Sequence, residues 1–196
     1  MNGCNHATLC TMKTTFREMM LAQRLALTPD DVHTFSASLL QQLMHDSRIT
    51  HARTIGLFHP IKHEPNLLGI THLFPDKQVY LPKVHDGVMD YVLYHEAYGQ
   101  THSPLERSPL NILEPAGQSY FKEPLDVILI PALAIDHQRH RLGFGKGFFD
   151  AYLARLRPKH VLAVIYPFQY VKTLPHEAHD ERVDDVLIAN LTTVSQ

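Results

Sequence analysis

Arg141-Leu142-Gly143-Phe144-Gly145-Lys146-Gly147-Phe148-Phe149-Asp150 places three glycines, two cations and one carboxylate between two apolar segments. The segment before it, Leu125–Leu133, is a short apolar run without alternation, which is typical of a parallel strand covered on both faces. The segment after it repeats apolar residues at helical spacing, so one stripe of a helix can pack on the sheet. The pattern therefore predicts a strand, a glycine loop and a helix.

The glycine loop has the chemistry of an anion site. Unpaired N–H groups at a helix N-terminus favour an anion, and glycines let the backbone approach a ligand closely. Arg141 and Lys146 add full positive charges, so the loop suits a triphosphate. Asp150 would repel phosphate by itself, and a bridging Mg²⁺ would reconcile it with the cations. Two plainer interpretations stay open: Asp150 complements the helix dipole, or the loop is a structural turn.

Composition limits the classes of function. The chain has 196 residues, of which 44% are hydrophobic and 19% are charged, enough for one compact domain over residues 12–196 behind a disordered extension over residues 1–11. The net charge of −2 argues against a nucleic-acid partner, and no apolar run is long enough to span a membrane. No secretory signal is apparent, so we expect a cytoplasmic protein. The 15 histidines show no metal-binding spacing.

The remaining periodicities predict an α/β fold. Thr28 and Pro29 are suited to begin a helix that runs to about His45. Asp86-Gly87 has the chemistry of a hairpin turn within residues 78–95. Residues 98–124 are expected to form a long connection with little regular structure, and one interpretation of this connection is a lid. Together with a strand near 161–166, these elements predict an open mixed, mostly parallel sheet flanked by helices in a Rossmann-like three-layer arrangement.

The decapeptide at 141–150 resembles the corresponding motif of the 5-formyltetrahydrofolate cyclo-ligase family. The similarity extends to Lys13-Thr14-Thr15-Phe16-Arg17, to Leu113-Glu114-Pro115 and to the HDERVDDV segment at 179–186. The resemblance implies that ATP phosphorylates the formyl oxygen of 5-formyltetrahydrofolate. Attack by the second folate nitrogen then gives 5,10-methenyltetrahydrofolate, ADP and phosphate. It also implies small-molecule substrates and a cofactor Mg²⁺, and we expect a monomer.

The same resemblance assigns roles to individual residues. Lys146 and Arg141 are expected to be catalytic, His59 and Glu64 to bind folate, and Asp150 and Asp184 to bind magnesium. The expected ATP-binding residues are Lys13, Arg17, Arg141, Gly143, Phe144, Gly145, Lys146, Gly147, Phe148 and Phe149. The family commonly has tyrosine in the aromatic pair, so Phe148-Phe149 removes phenolic hydrogen bonds but keeps surfaces for stacking.

Other functions fit parts of the pattern. The main alternative is a non-catalytic folate- or nucleotide-binding module of the same fold, which would not need the metal carboxylates. An RNA-associated relative would require a basic surplus that the chain lacks. A sugar-phosphate isomerase would need a catalytic base beside the phosphate loop and no nucleotide.

Overall fold

The computed structural model describes residues 6–99, 102–177 and 180–190. Within these residues the α-helices are α1 His6–Leu25, α2 Pro29–His45, α3 Ser47–His51, α4 Ile70–Leu73 and α5 Phe148–Arg155. Helix α2 begins where the sequence predicted. The Thr28 side chain accepts a hydrogen bond from the Asp31 backbone N–H, and the Asp31 side chain accepts one from the Thr28 backbone N–H. This reciprocal capping box satisfies two of the donors that a helix N-terminus leaves unpaired.

Seven strands form the central sheet, in the order β12-β10-β7-β1-β2-β3-β6. From β12 to β2 every neighbouring pair is parallel, and β3 and β6 are added antiparallel at one edge. The prediction of a mixed, mostly parallel sheet is therefore confirmed. Its strands are β1 Thr54–Gly56, β2 Gln78–His85, β3 Val88–His95, β6 Tyr120–Phe121, β7 Val127–Pro131, β10 His160–Ile165 and β12 Asp185–Ile188.

Two small sheets accompany the large one. Strands β8 Ala134–Asp136, β9 Arg141–Leu142 and β11 Tyr170–Val171 form the first, in the order β11-β8-β9. Strands β4 Leu105–Arg107 and β5 Leu113–Pro115 pair antiparallel as the second, here called the ribbon. The ribbon and β6 correct the expectation that residues 98–124 have little regular structure.

Alternate residues of the central strands belong to different apolar cores, as strand geometry requires. In β7, Val127 and Leu129 pack in a core with α2, α3 and α4, whereas Ile128 and Ile130 pack in a core with α5. Helices thus cover both faces of the sheet, and the three-layer prediction is confirmed. A third core places Met20 of α1 against residues that follow β7.

Helix α1 begins earlier than expected. It starts at His6, so residues 6–11 are helical rather than part of a disordered extension. Residues 1–5, which the same prediction covers, lie outside the described part of the chain. In that described part, no helix is long and apolar enough to cross a membrane.

The β2–β3 hairpin is joined to α5 by one buried carboxylate. The turn of the hairpin has positive φ at Asp86 and Gly87, as the predicted Asp-Gly turn requires. On β3, Asp90 is 1% exposed and accepts hydrogen bonds from Lys122 Nζ at 2.8 Å and Arg155 Nη2 at 2.7 Å. Burial alone would raise the pKa of Asp90, but these cations lower it to about 2. The hairpin and α5 are therefore held together by hydrogen bonds to Asp90.

Candidate active site

A cavity of about 400 Å³ lies at the carboxyl ends of β1, β2 and β7. This is the edge at which open α/β sheets bind ligands, and the volume is in the range of small-molecule pockets. Of the predicted site residues, the cavity is lined by Lys13, Arg17, His59, Glu64, Arg141, Gly143, Phe144, Gly145, Lys146, Gly147, Phe148, Phe149 and Asp150. The fold thus brings together segments that are far apart in the sequence.

The glycine loop adopts a conformation that two of its glycines make possible. Gly147 is the N-cap of α5 with φ 68°, and Gly145 has φ 89°, both in the left-handed region that side chains disfavour. A Cβ atom at Gly145 would also lie 3.1 Å from the Arg17 guanidinium carbon. Arg17 Nε in turn donates to the Gly143 carbonyl at 3.0 Å. Helix α1 therefore supports the loop directly.

The cations of the loop differ in how they are held. Arg141 Nη2 donates to Asp150 Oδ2 at 3.1 Å, and its guanidinium lies over the Phe149 ring at 5.3 Å. Lys146 is exposed at the cavity and makes no hydrogen bond or ion pair with the residues that the structure describes. Arg141 is thus a fixed charge, and the Lys146 ammonium can turn to a ligand.

Lys13 links α1 to the segment after β11. Its Nζ donates to Glu177 Oε2 at 2.9 Å and to Asp180 Oδ2 at 2.6 Å. Burial by itself would lower the pKa of the Lys13 ammonium, but the hydrogen bonds to Asp180 and Glu177 outweigh it and raise the pKa. Lys13 therefore stays charged at the cavity wall, already neutralised by two carboxylates.

Asp184 does not lie at the cavity, which corrects the expected pairing of Asp150 with Asp184. Its Oδ1 accepts from Arg157 Nη2 at 2.7 Å, and its Oδ2 accepts from the Val161 backbone N–H at 2.7 Å. Because Asp184 directly precedes β12, it lies at the amino edge of the sheet, opposite the glycine loop. Asp180, four residues earlier, lines the cavity instead.

A buried ion pair lies beneath the loop that follows β1. Arg24 is fully buried, with Nε donating to the Lys62 carbonyl at 2.9 Å and Nη2 lying 3.6 Å from Glu64 Oε1. Glu64 Oε2 accepts from the Ile61 backbone N–H at 3.1 Å. Burial raises the pKa of Glu64 to about 7, and Arg24 only partly opposes this. The Glu64 carboxyl group therefore holds its proton more tightly than a solvent-exposed glutamate does.

Phe144 closes the side of the cavity above this pair. Its ring lies 5.0 Å from Lys62 Nζ and 5.2 Å from the Arg24 guanidinium carbon. Nearby, burial lowers the pKa of His59, so its imidazole is neutral at pH 7, and its Nδ1 has no hydrogen-bond partner in the described part of the chain. Aromatic and polar side chains thus line the cavity near Glu64.

Sequence reasoning did not assign a site role to several other residues that line the cavity. The ribbon contributes Leu110, Ile112 and Glu114, and the β2–β3 hairpin contributes Val84 and Met89. The signal for Glu114 was the Leu113-Glu114-Pro115 motif of the family resemblance, because alternation of apolar and polar residues on a strand does not by itself mark a site.

The carboxylates at the cavity fit Mg²⁺ in the manner of a nucleotide complex. Among residues 6–99, 102–177 and 180–190, no three His, Cys, Asp or Glu side chains converge as a ready-made metal site. Mg²⁺ in phosphoryl-transfer sites is usually held by one or two carboxylates together with substrate phosphates and water. Asp150 and Asp180 both line the cavity and suit that arrangement.

Fold and site together define an α/β protein with a cationic glycine loop at a cavity of small-molecule size. The sequence profile of the 5-formyltetrahydrofolate cyclo-ligase family matches residues 10–189. The 5-formyltetrahydrofolate cyclo-ligase of Escherichia coli K12 is 28% identical over 169 residues, which cover 83% of this chain and 92% of the relative. That of Mycolicibacterium smegmatis is 28% identical over 181 residues, covering 89% and 92%.

A solved structure agrees with these relatives. The NMR structure of Aquifex aeolicus 5,10-methenyltetrahydrofolate synthetase has a TM-score of 0.77 and 28% identity, and the likeness covers 90% of this chain and 89% of that one. The chain belongs to the 5-formyltetrahydrofolate cyclo-ligase family, and it is a ligase.

Proposed function

We propose that this protein closes 5-formyltetrahydrofolate to 5,10-methenyltetrahydrofolate at the expense of ATP, releasing ADP and phosphate through a phosphorylated formyl oxygen. The observation that carries the proposal is that two chemically different groups of residues line one cavity. The glycine loop supplies cations, and the apolar side chains of the β2–β3 hairpin and the ribbon belong to the same lining as the buried carboxyl groups of Glu64 and Glu114. Each group suits one of the two substrates.

The glycine loop is suited to the phosphates of ATP. The backbone around Gly145 and Gly147 leads into the N-terminus of α5, where helix N–H groups favour an anion. Arg141 and Lys146 supply positive charge, and Arg17 holds the loop from below. Mg²⁺ held by Asp150, with Asp180 as a second carboxylate, would neutralise charge on the phosphates.

The other group of residues is suited to a reduced pterin. Pro82, Val84 and Met89 form an apolar wall for the ring, and the Glu64 carboxylate can accept hydrogen bonds from ring N–H and amine groups. Since a buried carboxylate needs donors to offset its desolvation, a ligand rich in N–H groups is the expected partner.

The chemistry asks mainly for positioning and charge stabilisation. The formyl oxygen attacks the γ-phosphorus and the bond to ADP breaks, which converts a poor leaving oxygen into a good one. The second folate nitrogen then bonds to the formyl carbon, loses its proton, and phosphate departs. Lys146 is the group that stabilises charge on the transferring phosphoryl, and Arg141 supplies a second, fixed charge.

The decisive experiment mixes purified protein with 5-formyltetrahydrofolate, Mg²⁺ and ATP and follows the absorbance of 5,10-methenyltetrahydrofolate. We expect product only when ATP is present, with one ADP formed per product. Binding of both ligands without product would favour the alternative, a non-catalytic binding module of the same fold.

We expect folate binding to strengthen as the pH rises from 6 to 8. The ionised Glu64 accepts hydrogen bonds from the substrate, and burial raises its pKa to about 7, so protonation at lower pH removes the charge and turns one acceptor oxygen into an O–H donor. The stability of the unliganded protein is expected to change with pH in the opposite direction. The folded state holds the proton more tightly than the unfolded state, so the contribution of Glu64 to stability falls as the pH rises from 4.5 to about 7.

Titration of 5-formyltetrahydrofolate without ATP, at several pH values, checks this. Glu64→Gln should weaken binding at pH 8 by about tenfold, which is the loss expected for a hydrogen bond to a charged group. The variant should also abolish the change in folate affinity between pH 6 and pH 8. An unchanged pH dependence in that variant would exclude Glu64 as the titrating group.

A further inference from the structure

Glu114 is a buried carboxyl group in the wall of the cavity. It lies in the middle of β5, is 4% exposed, and lines the cavity beside Ile112 and Leu113 of the same ribbon. Across from it, Val84 and Met89 of the β2–β3 hairpin are apolar. A charged group in such surroundings is unusual unless something compensates it.

Lys83 fixes the position of the ribbon that carries Glu114. Its Nζ is nearly buried and donates to the carbonyls of Pro115, Ala116 and Gly117 at 2.9, 3.3 and 3.2 Å. It also donates to Glu106 Oε1 at 2.6 Å. Four acceptors on one ammonium hold the ribbon against β2, so the Glu114 side chain has a defined place at the cavity.

The carboxyl group of Glu114 lacks a cation in contact. In the part of the chain that the structure describes, no Lys, Arg or His nitrogen lies within ion-pair distance of it, because Lys83 is engaged by Glu106 and by three carbonyls. Burial raises the pKa of Glu114, and hydrogen bonds from the Val84 backbone N–H and the Ser108 side chain, together with the charge of Lys83, only partly oppose this. The ionised carboxyl group thus has neutral hydrogen-bond donors but no cation in contact within the described part of the chain.

The chemistry of a ligand beside Glu114 follows from this charge. A phosphate beside a buried carboxylate that no cation neutralises would be repelled, which disfavours the triphosphate as the neighbour of Glu114. A neutral group that donates N–H would instead add a hydrogen bond to the carboxylate. Of the two proposed substrates, the reduced folate offers such groups away from its own carboxylates.

We propose that Glu114 is a specificity-determining residue that accepts a hydrogen bond from an N–H group of the reduced folate, as a second carboxylate besides Glu64. This inference rests on the proposed function, because it takes the folate as the ligand of the apolar residues. The ribbon, positioned by Lys83, is then a substrate-recognition element.

The test measures equilibrium binding of 5-formyltetrahydrofolate without ATP to wild-type protein, Glu114→Gln and Glu114→Asp. The glutamine keeps the shape of the side chain but is uncharged, and we expect its Kd to rise at least tenfold. The aspartate keeps the charge but withdraws the oxygens by one methylene, and we expect an intermediate Kd. In steady-state assays the KM for ATP of each variant should stay within about twofold of wild type, because the glycine loop is untouched.

Glu106→Gln is the matched control. Glu106 lies directly opposite Glu114 in the ribbon, but its side chain is 54% exposed and does not line the cavity. Lys83 keeps its three carbonyl acceptors in this variant, so we expect wild-type folate binding. A Kd that rises as much as in Glu114→Gln would mean that the ribbon responds to any loss of a carboxylate, and would overturn the inference. Thermal melting of all variants separates unfolding from weaker binding.

The outcomes distinguish failure of the Glu114 inference from failure of the proposed function. If wild-type protein forms product and Glu114→Gln binds folate as tightly as wild type, the Glu114 inference is wrong and the proposed function stands. If wild-type protein binds folate without turnover and Glu114→Gln binds it weakly, the catalytic proposal fails and the recognition role stands. If wild-type protein binds no folate, both fall. Should Glu114→Gln not fold, the aspartate variant decides, and binding equal to wild type would overturn the inference.

Discussion

Replacing Lys146 with alanine is expected to lower turnover by about 10²–10³-fold, the scale found when one stabilising donor is removed from a transition state. The side chain is exposed at the cavity and bonds to no described residue, so its removal should change the free energy of unfolding by less than about 0.5 kcal/mol. Formation of methenyltetrahydrofolate under saturating substrates, beside thermal melting, measures both quantities.

Lys172→Ala is the control for this variant. Lys172 is likewise exposed, has no hydrogen bond or ion pair among residues 6–99, 102–177 and 180–190, and does not line the cavity. Its replacement should leave turnover and melting unchanged. Full activity in Lys146→Ala, or its unfolding, would remove the role assigned to Lys146 in phosphoryl transfer.

Replacing Arg24 with alanine is expected to destabilise the fold by about 3 kcal/mol, the cost typical of breaking a buried ion pair. The guanidinium joins three separate segments: Nε bonds to the Lys62 carbonyl, Nη1 bonds to the Ala132 carbonyl at 3.3 Å, and Nη2 lies beside Glu64. The variant leaves the Lys62 carbonyl and the Glu64 carboxylate without the guanidinium, whereas the Ala132 carbonyl keeps its hydrogen bond from Gln169 Nε2 at 2.7 Å. Chemical denaturation monitored by circular dichroism gives the change.

Two further variants serve as comparisons for the loss of stability in Arg24→Ala. Arg24→Met restores the apolar packing but not the charge, so it should recover part of the loss. Arg53→Ala removes an arginine that is exposed and has no side-chain hydrogen bond to any described residue, and should cost little. A loss below about 1 kcal/mol in Arg24→Ala would mean that the buried guanidinium contributes little net stability.

Elements with a strong local signal were predictable from the sequence. Helix α2 begins at Pro29, as expected, because Thr28 and Asp31 form the capping box locally. The β2–β3 turn follows from Asp86-Gly87, and the glycine loop follows from the spacing of its glycines between strand and helix. In each case the interactions that fix the conformation lie within a few residues of one another.

Features that depend on distant partners were not predictable in this way. The strands of the ribbon have three residues each, too few to show a period, and their position depends on Lys83. Arg24 looks like an ordinary polar residue of a helix, because its partners lie in loops 38 and 108 residues away.

The position of Asp184 away from the cavity, which Asp180 lines, was not predicted for a different reason. Both lie in one irregular segment, and the family motif alone does not say which of them faces the site. The adjacent strand could have decided the question, because a residue that directly precedes a parallel strand lies at the amino edge of the sheet. Asp184 precedes β12 in this way, whereas the glycine loop is at the carboxyl edge.

The contacts of Lys13 bear on how the protein is made. The lysine is separated from Glu177 and Asp180 by 164 and 167 residues. During translation, α1 emerges from the ribosome long before those acids, so Lys13 lacks both carboxylate partners until the segment that carries them has been released. We therefore expect the contact between α1 and that segment to form only at a late stage of synthesis.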